Sequence, residues 1–269
     1  MNKRIGRWLL LPLTVFLTLL PLLYIILVSI ESKETYYTEI LSFNWKDWTI
    51  ENYVLMMRNF GIGLKLWNTF IVTVGSVFFI LALAIPFAYA LMWLKRKFRL
   101  FLMAILLIFS FIPEQVTILS KYQYFVGIGL VDSQFIVILL LVSQHLSFVT
   151  LMLTFLFLST PKSLYWALDI DGASEYKKMI HLTIPVSRNG ILVQVIWLIV
   201  SCWNSLLIPM VFLHSDKIKM VMPAIAALDR RYGTNIPFQM AGLVLSSIPI
   251  LLLYAGFHKK IVQHLDIGV

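Results

Sequence analysis

The stretch SQFIVILLLVSQHLSFVTLMLTFLFL runs from Ser133 to Leu158 without one Asp, Glu, Lys or Arg. A helix needs roughly 20 predominantly apolar residues to cross the hydrocarbon of a bilayer, and this run is long enough. Its apolar residues are continuous rather than alternating with period two, which favours a spanning helix over a barrel strand. Outward from it, five further stretches meet the same test, at about 9–30, 68–94, 100–119, 191–213 and 238–257. Apart from Glu114 near the end of one of them, none of the six carries an Asp, Glu, Lys or Arg. Of the 269 residues, 60% are hydrophobic and 13% charged, against about 25% charged in a soluble domain. The apolar excess has to face lipid. The expected fold class is an all-α integral membrane protein with six transmembrane helices.

Lys3, Arg4 and Arg7 precede the first stretch, as in a signal peptide. The apolar run is too long for such a peptide and lacks a small-x-small cleavage site, which predicts a retained signal-anchor helix. With the N-terminus inside, 13 of the 22 Lys and Arg fall on the inner side and 9 on the outer, although Lys217, Lys219, Arg230 and Arg231 work against that bias. The excess of inner Lys and Arg places both termini in the cytoplasm. The inner segments then sum to +9 and the outer ones to zero, so the net charge of +9 reports topology and not affinity for nucleic acid. The single cysteine, Cys202, excludes an intramolecular disulfide framework. In the first external loop, Thr49 can cap a short helix with Ile50, Tyr53, Val54 and Met57 on one face. That helix lies on the membrane surface, on a partner or on the chain's own spans.

No G-x-x-x-x-G-K-[ST] phosphate loop, H-E-x-x-H, G-x-S-x-G or Cys/His metal spacing occurs. No catalytic residue and no metal ligand is therefore assigned, and no cofactor is expected on this chain. Ion-coupled transporters usually hold ionisable groups at mid-membrane, and His145 is the clear candidate of that kind. Energy for uphill transport would then have to enter from another subunit. The alternatives are a self-contained secondary transporter or channel, which would need such groups or an inverted repeat, and a non-transporting membrane assembly protein.

Directly after Leu158 comes a polar inner segment, about 159–190. Thr160 before Pro161 reads as a helix start, with Leu164, Ala167 and Leu168 on its apolar face. Asp171-Gly172 ends that helix, because glycine takes positive φ without strain. Ser174 can cap a second helix. Its Tyr176, Met179, Ile180, Thr183 and Ile184 share one face, Glu175, Lys177, Lys178 and His181 lie opposite, and Pro185 marks its end. The result is a compact corner below the membrane, or simply a connector.

The run Pro161-Lys-Ser-Leu, Ala167-Leu-Asp-Ile-Asp171-Gly172-Ala173-Ser174 and Ile184-Pro185 resembles the cytoplasmic "EAA" loop of binding-protein-dependent ABC importer permeases, in particular the maltose-type sugar branch. Trp48-Thr-Ile-Glu-Asn-Tyr, Trp67-Asn-Thr-Phe, Ala88-Tyr89-Ala90, Pro113-Glu-Gln, Gly129-Leu-Val-Asp and Trp203-Asn204-Ser-Leu-Leu-Ile-Pro209 extend the resemblance over nearly the whole chain. It implies a permease core over 68–269, preceded by residues 1–67 with the first span and external loop. It also implies a second homologous permease, two ATPase subunits that use ATP and Mg, an extracellular solute-binding protein, and residence in a bacterial cytoplasmic membrane. Trp166, Ala167, Asp171, Gly172, Ala173 and Ser174 would contact the ATPase. One departure stands out: the family's Glu-Ala-Ala is Trp166-Ala167-Leu168, so the signature glutamate is absent. Trp166 either supplies apolar docking area instead or packs on the loop itself.

A sugar path needs hydrogen-bonding side chains and aromatic faces within otherwise apolar helices. Gln144, His145 and Ser147 in the fourth span, and Ser201, Trp203, Asn204 and Ser205 in the fifth, are the candidates. Helix–helix hydrogen bonding explains any one of them equally well. Pro86, Pro113, Pro209 and Pro249 lie within or at the ends of spans, where they can bend helices.

Overall fold

The computed structural model describes residues 2–38, 48–228, 233 and 235–262. The N-terminal part holds α1 (Asn2–Ser29), α2 (Lys33–Thr38) and α3 (Glu51–Arg58). Then follow α4 (Ile62–Trp93), α5 (Arg96–Ser110), α6 (Glu114–Gly127) and α7 (Gln134–Leu158). The segment after α7 forms α8 (Lys162–Ile170), α9 (Glu175–Lys178), a π-helical turn Met179–Thr183 and α10 (Ile184–Val186), the corner expected on the inner side. The chain closes with α11 (Arg188–Trp203), α12 (Leu207–Phe212), α13 (Val221–Ala226) and α14 (Ile236–Val262). Arg230 and Arg231 lie outside the described residues.

Four helices are by themselves long and apolar enough to cross a membrane, within α1, α4, α7 and α14. Two further stretches reach spanning length only as bent helix pairs, α5 with α6 and Glu175–Val186 with α11. The stretch expected as one helix over 100–119 is α5 and α6, which meet at 84°. Pro113 causes the break: it has no N–H to continue the ladder and pushes the residue before it out of the helical region. Pro113 itself sits extended, at φ −66° and ψ 134°, as the residue before α6. The stretch expected over 191–213 likewise stops at Trp203 and restarts as α12. A continuous helix would drive the Pro209 ring against the carbonyl of Ser205. Pro86 and Pro249, by contrast, lie inside α4 and α14. The helices also outrun the apolar windows. Lys65 lies in the first turn of α4, buried, donating to the Phe60 carbonyl at 2.8 Å with its ammonium 4.6 Å from the Phe60 ring.

The chain forms two compact units. The first comprises Met1–Leu66 and Val221–Tyr254. Its core is Met56, Phe60, Ile62, Val221, Ala224, Ile225, Leu228 and Phe238. In it the Thr49 hydroxyl accepts the N–H of Glu51 at 3.1 Å. α3 turns Asn52 and Met56 inward, and Asn52 donates to the carbonyls of Ser29 at 3.1 Å and Glu31 at 2.8 Å. Of the face expected on the membrane, a partner or the chain's own spans, Ile50, Val54 and Met57 are exposed, with Ile50 73% accessible, while Tyr53 is half-buried and shares a 2.6 Å hydrogen bond with Ser29.

The second unit comprises Trp67–Met220 and Ala255–Val269. Its core joins Val72, Ile80, Ala84 and Ala88 of α4 to Val137, Leu141 and Leu153 of α7, Leu198 and Cys202 of α11, and Phe212 of α12. Gly190 lets α11 approach α7: a Cβ there would sit 2.5 Å from Leu156 Cδ2. Asn68 near the start of α4 donates to the carbonyls of Lys217 at 2.9 Å and Lys219 at 3.1 Å. This unit carries both the inner corner and the polar cavity described next.

Candidate functional site

The inner corner starts at α8. Its N-cap is Pro161, not Thr160, and no side chain caps it. Its C-terminus is closed by Gly172 at φ +71°. The N–H of Gly172 bonds the carbonyl of Asp169 at 3.1 Å, and that of Ala173 bonds Leu168 at 3.0 Å. This pair of bonds is the Schellman closure that a glycine in the left-handed region permits. Ser174 then caps α9, its hydroxyl accepting the N–H of Lys177 at 3.4 Å. The corner is thus built locally, from a helix stop and a helix start three residues apart.

Burial differs from the helical-wheel expectation on both arms. The anchor of α8 is Tyr165, fully buried, while Leu164 is 41% exposed and Ala167 exposed. The Tyr165 ring meets Trp93 of α4 edge-on at 5.1 Å, and its hydroxyl shares a 2.9 Å hydrogen bond with Thr183. On the second arm Met179 and Thr183 are buried as expected, but Tyr176 is 69% exposed. Lys178, expected on the outer side, is buried. Its ammonium pairs with Asp169 and with Glu175, the latter at 2.6 Å. The π-helical turn, which precedes Pro185 and accommodates a residue that cannot donate, reorients this arm. Pro185 therefore does not end the helix; the 79° bend comes two residues later, at Ser187.

The ion pairs polarise the corner. Hydrogen bonds from Lys178 first, and from Tyr89 second, hold the Glu175 carboxyl below the usual carboxylate range. Asp169 and then Glu175 raise the Lys178 ammonium above its ordinary value. Outside this cluster lies an apolar surface. Trp166 is 60% exposed and Ile170, one turn on, is 89% exposed. Trp166 therefore does not pack on the loop. Asp171, Gly172 and Ser174 are exposed beside it, and Ala173 is half-buried.

The second feature is a cavity of about 160 Å³ lined by Glu114, Gln115, Gln144, His145, Ser201, Ser205 and residues 206–208. Both helix breaks build it: the first turn of α6 supplies Glu114 and Gln115, and the break before α12 supplies Ser205 and its neighbours. Four expected path residues, Gln144, His145, Ser201 and Ser205, come together here. Ser147, Trp203 and Asn204 do not line it. Ser201 reaches it from the last turn of α11 and Ser205 from the break that follows, whereas Trp203 is buried elsewhere. Glu114 and Gln115 were missed because a continuous third span put them near a membrane end. The signal that could have found them is Pro113, which must break that span. The Glu114 carboxylate is charge-matched: Lys121, two turns along α6, lies 3.0 Å from both of its oxygens. His145 stands edge-on to Trp197 at 5.4 Å. Amides, hydroxyls, an imidazole and one paired carboxylate suit the hydroxyls of an uncharged polar solute. The volume is small beside the roughly 300–1,000 Å³ of sites for drug-sized molecules.

No family model matches the chain. It is 28% identical over 258 residues to the diacetylchitobiose uptake system permease protein NgcG of Streptomyces coelicolor, covering 94% of this chain and 84% of that protein. It is 28% identical over 264 residues to the arabinooligosaccharides transport system permease protein AraQ of Halalkalibacterium halodurans, covering 94% and 91%. Among solved structures it superposes on a chain of a bacterial ABC transporter involved in the import of the acidic polysaccharide alginate. There the TM-score is 0.76 and the identity 21%, over 96% of this chain and 95% of that one. A chain of the MetNI methionine ABC transporter in an inward-facing conformation aligns with TM-score 0.58 at 19% identity, over 74% and 94%. The fold is shared with chains of both transporters.

Proposed function

We infer that this chain, an integral membrane protein with the fold and the relatives of ABC sugar-importer permeases, forms half of the translocation pathway for a carbohydrate. It is not itself catalytic. The observation that carries the reading is the rigid inner corner with its exposed Trp166–Ile170 face, in the same folded unit as a polar cavity among apolar helices. The partners are a second, homologous permease, two ATPase subunits beneath and a solute-binding protein outside. ATP and Mg belong to the ATPases. Both termini are cytoplasmic, and residues 68–269 form the permease core.

In this mechanism the ATPases grip the corner through Trp166, Ala167, Ile170 and the Asp171–Ser174 turn. Aromatic anchors at the centre of an interface carry much of its binding energy, and Trp166 takes the place of the missing glutamate in that role. ATP-driven closure moves the corners together and favours an outward-open arrangement of the spans. Hydrolysis restores the inward-open one. The sugar passes along Gln144, His145, Ser201, Ser205, Glu114 and Gln115, with the second permease completing the path. An oligosaccharide is the substrate class.

The test is capture of the complex. An Ala167→Cys variant, which keeps Trp166 in place, should cross-link to a co-purifying ATPase in mild detergent, and proteoliposomes containing the complex should take up saccharide only with ATP inside the ATPase compartment. Full uptake by this chain alone would overturn the reading.

A further inference from the structure

We propose that Tyr89 is a positioning residue that carries movement of the inner corner into the second span. The role rests on the reading of that corner as the ATPase contact. Tyr89 lies near the inner end of α4 and is buried. Its hydroxyl donates to Glu175 Oε2 at 2.6 Å, across 86 positions of sequence. The other carboxylate oxygen, Oε1, takes the Lys178 ammonium at 2.6 Å, so each oxygen has its own donor. Lys178 also reaches Asp169 on α8, which joins the two arms of the corner to each other.

A second path leads back to α4 on the aromatic side. Tyr165 of α8 meets Trp93 at 5.1 Å, and Trp93 stands one turn after Tyr89, with their rings 6.3 Å apart. The contacts close a circuit: Tyr89 to Glu175, Lys178 and Asp169, then through α8 to Tyr165, Trp93 and again Tyr89. Two connections from one helix to two arms that are themselves linked make a braced triangle. Push on the corner and α4 has to follow. Remove the Tyr89 hydroxyl, and the polar link between α4 and the second arm is lost, leaving aromatic and apolar packing that can slide. The corner can then swing without turning the span.

A hydroxyl bound to a charged carboxylate is among the stronger hydrogen bonds. Tyr89→Phe deletes it and leaves the ring packed. In proteoliposomes of the whole complex, the number of ATP molecules hydrolysed per saccharide transported should rise roughly tenfold, the ratio to which 1.4 kcal/mol corresponds. The saccharide KM for uptake should stay unchanged. The double variant Tyr89→Phe with Glu175→Ala should be no worse than Glu175→Ala alone, because loss of the carboxyl already removes the acceptor of the Tyr89 hydroxyl. Tyr53→Phe is the control: its hydroxyl bonds Ser29 at 2.6 Å in the other unit, and its ATP-to-saccharide ratio should match the parent. An unchanged ratio in Tyr89→Phe, a proportional loss of hydrolysis and transport together, or additive effects in the double variant would each overturn the proposal. Failure of the Ala167→Cys cross-link would instead defeat the reading of the corner.

Discussion

Replacing Gly172 by valine separates the corner's backbone from every other feature of the molecule. Gly172 sits at φ +71°, and a Cβ built there meets no atom within 4 Å. The penalty is therefore conformational and not a clash. A non-glycine residue in the left-handed region costs roughly 1–2 kcal/mol, more when β-branched. The alternative is to open the corner, which sacrifices the Gly172–Asp169 and Ala173–Leu168 hydrogen bonds. At about 0.5–1.5 kcal/mol each, these are worth roughly 1–3 kcal/mol. Both routes cost about 2 kcal/mol, so the variant should populate an opened corner for much of its time. The helix core lies elsewhere, and the melting temperature should move little. The assay is ATP hydrolysis and saccharide uptake in the same proteoliposomes. With the strained closed corner and the opened corner close in energy, about half of the molecules are open at any time, and we expect Gly172→Val to lose roughly half of its coupling. Asparagine tolerates the left-handed region far better, so Gly172→Asn should keep most of it. Equal coupling in valine, asparagine and parent would refute the argument. Equal loss in both variants would also refute it, by showing that the side chain's presence and not the backbone angle decides.

Trp166→Ala should weaken ATPase association by at least about 2 kcal/mol, the scale of an interface hot spot, as read by the fraction of ATPase retained on the purified permease. Lys121→Met leaves the nearly buried Glu114 carboxylate without its ammonium, and breaking such a pair from one side costs several kcal/mol. Uptake should fall at least tenfold, and Glu114→Gln in the same chain should restore most of it. Acid should loosen the corner. Glu175 has a lowered folded value, so its contribution is full above its ordinary 4.5 and is lost as pH falls through the folded value. Lys178 has a raised one, so its contribution is full below 10.5 and is lost as pH rises through the folded value. Hydrogen-exchange protection of α8 and α9 should be flat between about pH 5 and 10 and decline outside that window; a peak centred on a histidine-like pH would contradict this assignment.

The apolar windows, the Asp171-Gly172 stop and the Ser174 start were legible because each depends on neighbours within a few positions. Hydrophobic run length decides whether a segment can lie in lipid, and a glycine's φ freedom decides where a helix ends. The broken spans were half legible. Pro113 and Pro209 stood in plain view as bending points, but treating them as kinks rather than breaks hid Glu114 and Gln115 from the path. Helical wheels misplaced Tyr165, Tyr176 and Lys178, because three short helices and a π-helical turn do not keep one continuous period over 162–186.

By itself, the sequence determined that this chain lives in a membrane as helices, where its inner corner turns, and which side chains could face a polar solute. Only the tertiary structure decided which of those side chains share a cavity, that Trp166 faces outward, and that Tyr89 grips Glu175. The reason is the range of the forces involved. Burial in lipid and helix stops are settled by a few adjacent residues, whereas a hydrogen bond between positions 89 and 175 exists only once α4 and the corner have packed.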